Sequence, residues 1–167
     1  LVAAMNPCPC GLLGSVEPCR CNEQSRQRYM RRLSGPLLDR IDLRVHMQRP
    51  SANQLMSSDQ GESSQSVRAR VLAARAKAHT RGFPSNSLIP AGQLDEFAPI
   101  SDAGRSMLKG ALADGRLSAR GLARVRMVAR TIADLADEDT VSETSIASAL
   151  ALRARPVLFD SLGVTHV

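Results

Sequence analysis

The chain is almost without aromatic side chains: its 167 residues include no Trp, one Tyr and three Phe. A core built on ring stacking is thereby excluded. Any interior has to be assembled from Leu, Val, Ile, Met and Ala, which favours helices packed closely through small side chains. No apolar run reaches the roughly 18 residues that a membrane-crossing helix needs, so no transmembrane helix and no membrane partner are expected. Lysine is scarce as well. Of 22 basic residues only Lys77 and Lys109 are not arginine, and the net charge is +6. That excess suits oxyanion recognition, because guanidinium presents a rigid fork of donors; a solvated basic surface has the same composition. Residues 1–5, Leu-Val-Ala-Ala-Met, include neither a charged leader nor an initiator, so they are expected to be the inside of a strand within a longer chain rather than a signal peptide or a natural start.

What is present falls into two compositional halves. Residues 1–5 form a short apolar run with the length of a buried strand, stopped by Asn6-Pro7. All four cysteines follow among Pro and Gly in residues 7–21, an irregular loop. Residues 22–33 are compatible with a helix, and Pro36 opens a short second one through Leu37, Leu38 and Arg40. Ile41, Leu43, Val45 and Met47 alternate with polar residues, the pattern of a half-buried strand. A Ser-, Gln- and Asn-rich stretch at 51–65 reads as a linker. Helical periodicity then covers 66–80, 101–113, 118–135 and 142–153, with Ser101 and Ser142 as N-caps and a short helix at 92–97. The expected architecture is an α/β fragment at 1–50 with two strands, short helices and a Cys-rich loop, a linker at 51–65, an all-α unit of about four helices at 66–155, and a tail at 156–167.

Cys8-Pro9-Cys10 and Cys19-Arg20-Cys21 are two Cys-x-Cys pairs eight residues apart. Four thiolates gathered by turns complete a tetrahedral zinc shell and order a loop that has little core of its own. The more usual spacing is Cys-x-x-Cys. Zinc, reduced thiols and disulfides all remain open on the spacing, with a reducing compartment disfavouring the last.

Three stretches carry a resemblance. Met5-Asn6-Pro7-Cys8-Pro9-Cys10-Gly11, Pro18-Cys19-Arg20-Cys21 and Leu33-Ser34-Gly35-Pro36-Leu37-Leu38-Asp39-Arg40-Ile41-Asp42-Leu43 resemble consecutive signatures of the ComM/YifB-type, magnesium-chelatase-like AAA+ ATPases. Leu117-Ser118-Ala119-Arg120 and Val128-Ala129-Arg130-Thr131-Ile132-Ala133-Asp134-Leu135 are similar to that family's carboxy-terminal domain. The resemblance implies an AAA+ core fragment followed by a helical lid, in a cytoplasmic hexamer that uses ATP and Mg2+. It implies sensor 1 at Asn6, which holds the attacking water, and an arginine finger at Arg40, which reaches a neighbouring subunit's nucleotide. It implies sensor 2 at Arg120, against the nucleotide phosphates.

Members of the family resemble motors acting on branched or single-stranded DNA, so DNA is an expected partner. Arg26, Arg28, Arg31 and Arg32, beside Tyr29, make a basic helix suited to a phosphate backbone, with one ring for stacking. A magnesium-chelatase subunit driving metal insertion, and a non-catalytic interaction module, are the alternatives. Neither a Gly-x-x-x-x-Gly-Lys-Ser/Thr loop nor an acidic magnesium-binding strand occurs. The expectation is therefore that this portion alone is inactive and depends on an amino-terminal part of the same protein.

Overall fold

The computed structural model describes residues 2–47, 50–57 and 61–154. They form two compact units, one through Ala52 and one from Asn53 to Arg153. The expected tail at 156–167 lies outside the described residues.

In the first unit the Cys-rich segment is a succession of turns leading into helix α1 (Glu23–Met30). Asn22 caps α1, its side chain accepting from the Ser25 N–H, and Glu23 in the first turn complements the helix dipole. Ser34 caps the short α2 (Gly35–Arg40), where Pro36 stands in the first turn at a position that needs no N–H donor.

The two strands expected in this unit are not formed. Among the described residues there is no strand, and the fold is mostly helical. Val2 and Met5 are exposed, as are Leu43, Val45 and Met47, in backbone without regular pairing. The reason is physical: alternation selects a face, but a strand exists only where another backbone supplies its ladder. No described segment pairs with either run. The α/β fragment is thus corrected to a turn-rich, helical unit.

Short α3 (Ala52–Met56) is exposed throughout and precedes the second unit's main helices. These are α4 (Ser64–Thr80), the one-turn α5 (Leu94–Phe97), α6 (Asp102–Ala113), α7 (Ala119–Leu135) and α8 (Glu143–Ala151). Serine caps four of them: Ser63, Ser101, Ser118 and Ser142 each accept from a backbone N–H three residues on.

Helix α7 is the centre of the unit. Val125, Ala129 and Ala133 recur every fourth residue and are sealed from water, so one straight stripe of small side chains meets the surrounding elements. Leu94, Leu108, Val141 and Ile146 close over it. Gly104 lets α6 approach: a Cβ there would sit 2.9 Å from Ile100 Cγ2 and 3.2 Å from Ile146 Cγ1. Phe83 and Phe97 meet edge to face at 5.0 Å. Among the described residues the one β-type contact is an isolated parallel bridge between Ile100 and Val141, which ties the approaches to α6 and α8 together.

Arg130 and Asp134 are buried one turn apart on α7. The Arg130 guanidinium donates to the carbonyls of Glu138 and Asp139, closing the turn after α7, in which Asp137 takes φ 63°. Asp134 also binds Arg81, beyond the end of α4, and accepts from Asn86 Nδ2 at 2.7 Å. Burial pulls the Arg130 guanidinium below its ordinary pKa while Asp134 opposes that shift.

Candidate functional site

The four cysteine sulfurs converge. Cys8 Sγ lies 3.4 Å from Cys10 Sγ and 3.6 Å from Cys19 Sγ, Cys10 and Cys19 are 3.6 Å apart, and all four sulfurs fall within 4.8 Å of one another. At a Zn–S distance of about 2.3 Å, a regular tetrahedron has edges of about 3.8 Å. A disulfide needs about 2.05 Å, and the four thiols are free. The donor set therefore fits a tetrahedral thiophilic cation and not a covalent crosslink.

Turns create this convergence. Gly11, at φ 78°, closes the first Cys-x-Cys by donating its N–H to the Cys8 carbonyl at 3.0 Å, a backbone conformation that disfavours a side chain. Gly14 at φ 81° turns the loop again toward Cys19 and Cys21. Backbone hydrogen bonds at Leu12 and Arg20 pull Cys10 down to about 6, whereas desolvation pushes Cys21 up to about 12. Thiols this close resist ionising together unless a cation offsets their charge.

Asn6 is exposed immediately before this loop. Its carbonyl accepts from the Tyr29 hydroxyl at 3.1 Å, and its side-chain amide lies 3.6 Å from where a Cβ on Gly11 would stand. Tyr29 was expected to offer a ring for base stacking; it is half-buried, with its hydroxyl engaged at Asn6.

The four arginines of the expected basic helix are not equivalent. Arg26 is held at 2.9 Å by Glu23. Arg28 is exposed on α1, while Arg31 is the C-cap and Arg32 follows it, both exposed beside the helix's carbonyl end, where the dipole favours cations.

Arg40 ends α2 and is exposed. Among the described residues it makes no ion pair. Its neighbour Arg44 instead donates to the Leu38 carbonyl at 2.6 Å, fastening the chain just after α2. Arg120 stands in the first turn of α7, in the second unit, exposed and without an ion pair among the described residues. That turn carries no acidic residue, so the helix end presents positive charge twice over.

Comparison with known proteins accounts for both units. Residues 61–153 match the family model "Magnesium chelatase, subunit ChlI C-terminal", and residues 1–55 match "Magnesium chelatase, subunit ChlI".

The chain belongs to the magnesium-chelatase-like family of ComM/YifB type.

An uncharacterized protein of Mycobacterium tuberculosis is 41% identical over 157 residues, which are 92% of this chain and 31% of that protein. The uncharacterized protein YifB of Escherichia coli is 36% identical over 155 residues, 92% of this chain and 30% of its own length. The competence protein ComM of Haemophilus influenzae is 36% identical over 163 residues, 97% of this chain and 32% of its length. The chain thus spans about a third of the curated relatives it matches. Within this ComM/YifB-type chain no described helix is long and apolar enough to cross a membrane.

Sequence reasoning missed the group formed by Arg81, Asn86, Arg130 and Asp134. One signal was available: Arg130 and Asp134 stand four apart in α7, each directly following a residue of the buried Ala129 and Ala133 stripe, and a charged pair buried beside that stripe has to be satisfied internally.

Proposed function

We propose that this chain is the carboxy-terminal part of a cytoplasmic, hexameric, ATP-dependent DNA motor of branch-migration or helicase type, working in recombination or DNA uptake. The family membership and the ComM relative, a competence protein by name, support the class. The whole protein uses ATP and Mg2+. Residues 1–50 complete its AAA+ core, 51–65 link the parts, and 66–155 are its helical lid.

Arg40 carries the reading. It is exposed at the end of a capped helix, with no ion pair among the described residues to hold its guanidinium at home. A guanidinium so placed is available to a phosphate from outside the chain, where it stabilises charge on the transferring phosphoryl group. Asn6 orients the attacking water with a neutral amide. Arg120, at a helix start that offers its own N–H groups to an oxyanion, contacts the nucleotide and couples its loss to lid movement. The four thiolates hold zinc, which orders the loop behind Asn6. Without a phosphate-binding loop this portion hydrolyses no ATP alone.

The test is the full-length protein's ATPase rate with and without branched or single-stranded DNA. Stimulation by DNA supports the motor. Indifference to DNA, with stimulation by a porphyrin substrate instead, replaces it with a chelatase.

A further inference from the structure

Asn6 is held through its backbone. Its backbone is restricted because Pro7 follows, which confines the preceding residue to extended conformations. Its carbonyl belongs to the Asn6-Pro7 amide and receives the Tyr29 hydroxyl from 23 residues further on. Fixing that carbonyl fixes the plane of the amide, and with it the direction in which the Asn6 Cα–Cβ bond leaves the chain. The Asn6 amide faces Gly11 across a gap that a Cβ would fill: one built on Gly11 would stand at an ordinary contact distance of 3.6 Å from Asn6 Nδ2. Tyr29 is itself well anchored: it lies on α1, which starts two residues after Cys21, and the next residue, Met30, is buried.

We infer that Tyr29 is a positioning residue for Asn6, aligning its amide for the hydrolytic step through a hydrogen bond to its carbonyl. The inference rests on the reading of Asn6 as sensor 1. Tyr29 touches no reacting atom; it narrows the range of directions the Asn6 side chain samples. The ring also joins the arginine-bearing helix to Asn6, so that a displacement of α1 is felt at the amide.

The experiment uses the full-length oligomer, with ATP as substrate and single-turnover rates for slow variants. Tyr29→Phe removes only the hydroxyl and keeps the packing of the ring. Losing one neutral hydrogen bond is expected to lower kcat about three- to tenfold. KM for ATP and the melting temperature should stay as in the parent, because nucleotide contacts and core are untouched. In an Asn6→Ala background, which keeps the carbonyl but has no amide to aim, Tyr29→Phe should bring no further loss. An unchanged kcat in Tyr29→Phe, or an equal proportional loss with and without the Asn6 amide, overturns the positioning role while leaving Asn6 as sensor 1. Full activity in Asn6→Ala alone overturns both.

Discussion

The Arg130 guanidinium lies 3.1 Å from the Asp134 carboxylate one turn further along α7, and the two side chains are 1% and 0% exposed. This pair governs how the second unit is closed. Arg130 passes on to the carbonyls of the turn before α8, and Asp134 passes back to Arg81 and Asn86 beyond α4. A single turn of α7 therefore fastens the elements on either side of it.

Removing Asp134 leaves Arg130 buried with an uncompensated charge, which costs about 3–5 kcal/mol. Asp134→Ala should lower the second unit's melting temperature by at least about 12 °C, given 4–8 °C per kcal/mol for a unit of this size. Calorimetry of the whole chain reads this directly. A shift of only a degree or two would mean that Asp134 is a bystander.

Gly104→Ala tests the close approach of α6. The added methyl gains up to about 1 kcal/mol in helix propensity but overpacks Ile100 and Ile146, a strain of about 1–3 kcal/mol. Net destabilisation is expected in a denaturant titration, whereas stabilisation would show that Ile100 gives way freely.

The cysteine cluster predicts one thiophilic metal per chain after purification without chelator, measured by atomic emission. Cys8→Ser should abolish it most completely, because Cys8 is the buried member of the sulfur cluster. A folded, metal-free parent protein would refute the zinc assignment.

For DNA, replacing Arg28, Arg31 and Arg32 together should reduce the salt slope of binding by about 2–3, at 0.7–0.9 per phosphate contact. Arg26→Ala should do much less, since Glu23 already occupies that guanidinium. Equal effects from Arg26 and the other three would show that the Glu23 pair does not persist in solution.

How much of this was legible follows from which interactions are local. The serine caps at 101 and 142 and the helical spacing through Val125 and Ala129 depend on residues within one or two turns, so spacing alone locates α6, α7 and α8, although the cap at Ser118 was not read from it. The strands were misread because pairing is non-local: the alternation of Ile41, Leu43, Val45 and Met47 states a preference that no described neighbour fulfils. Spacing likewise left the cysteines undecided among zinc, thiols and disulfides, since only coordinates give 3.4–3.6 Å between sulfurs. The Tyr29 contact with Asn6 spans 23 residues and leaves no periodic trace.

The central claim is that Arg40 completes a neighbouring subunit's nucleotide site, and mixing two defective full-length proteins tests it most directly. One carries Arg40→Ala; the other keeps Arg40 but has its phosphate-binding lysine replaced. Each alone should be inactive, the first by about 10³-fold or more in kcat. In mixed rings of head-to-tail subunits about a quarter of the sites pair an intact phosphate loop with an intact neighbouring arginine, so ATPase activity should return to about that fraction. Full activity of Arg40→Ala by itself, or no recovery on mixing, would contradict the account.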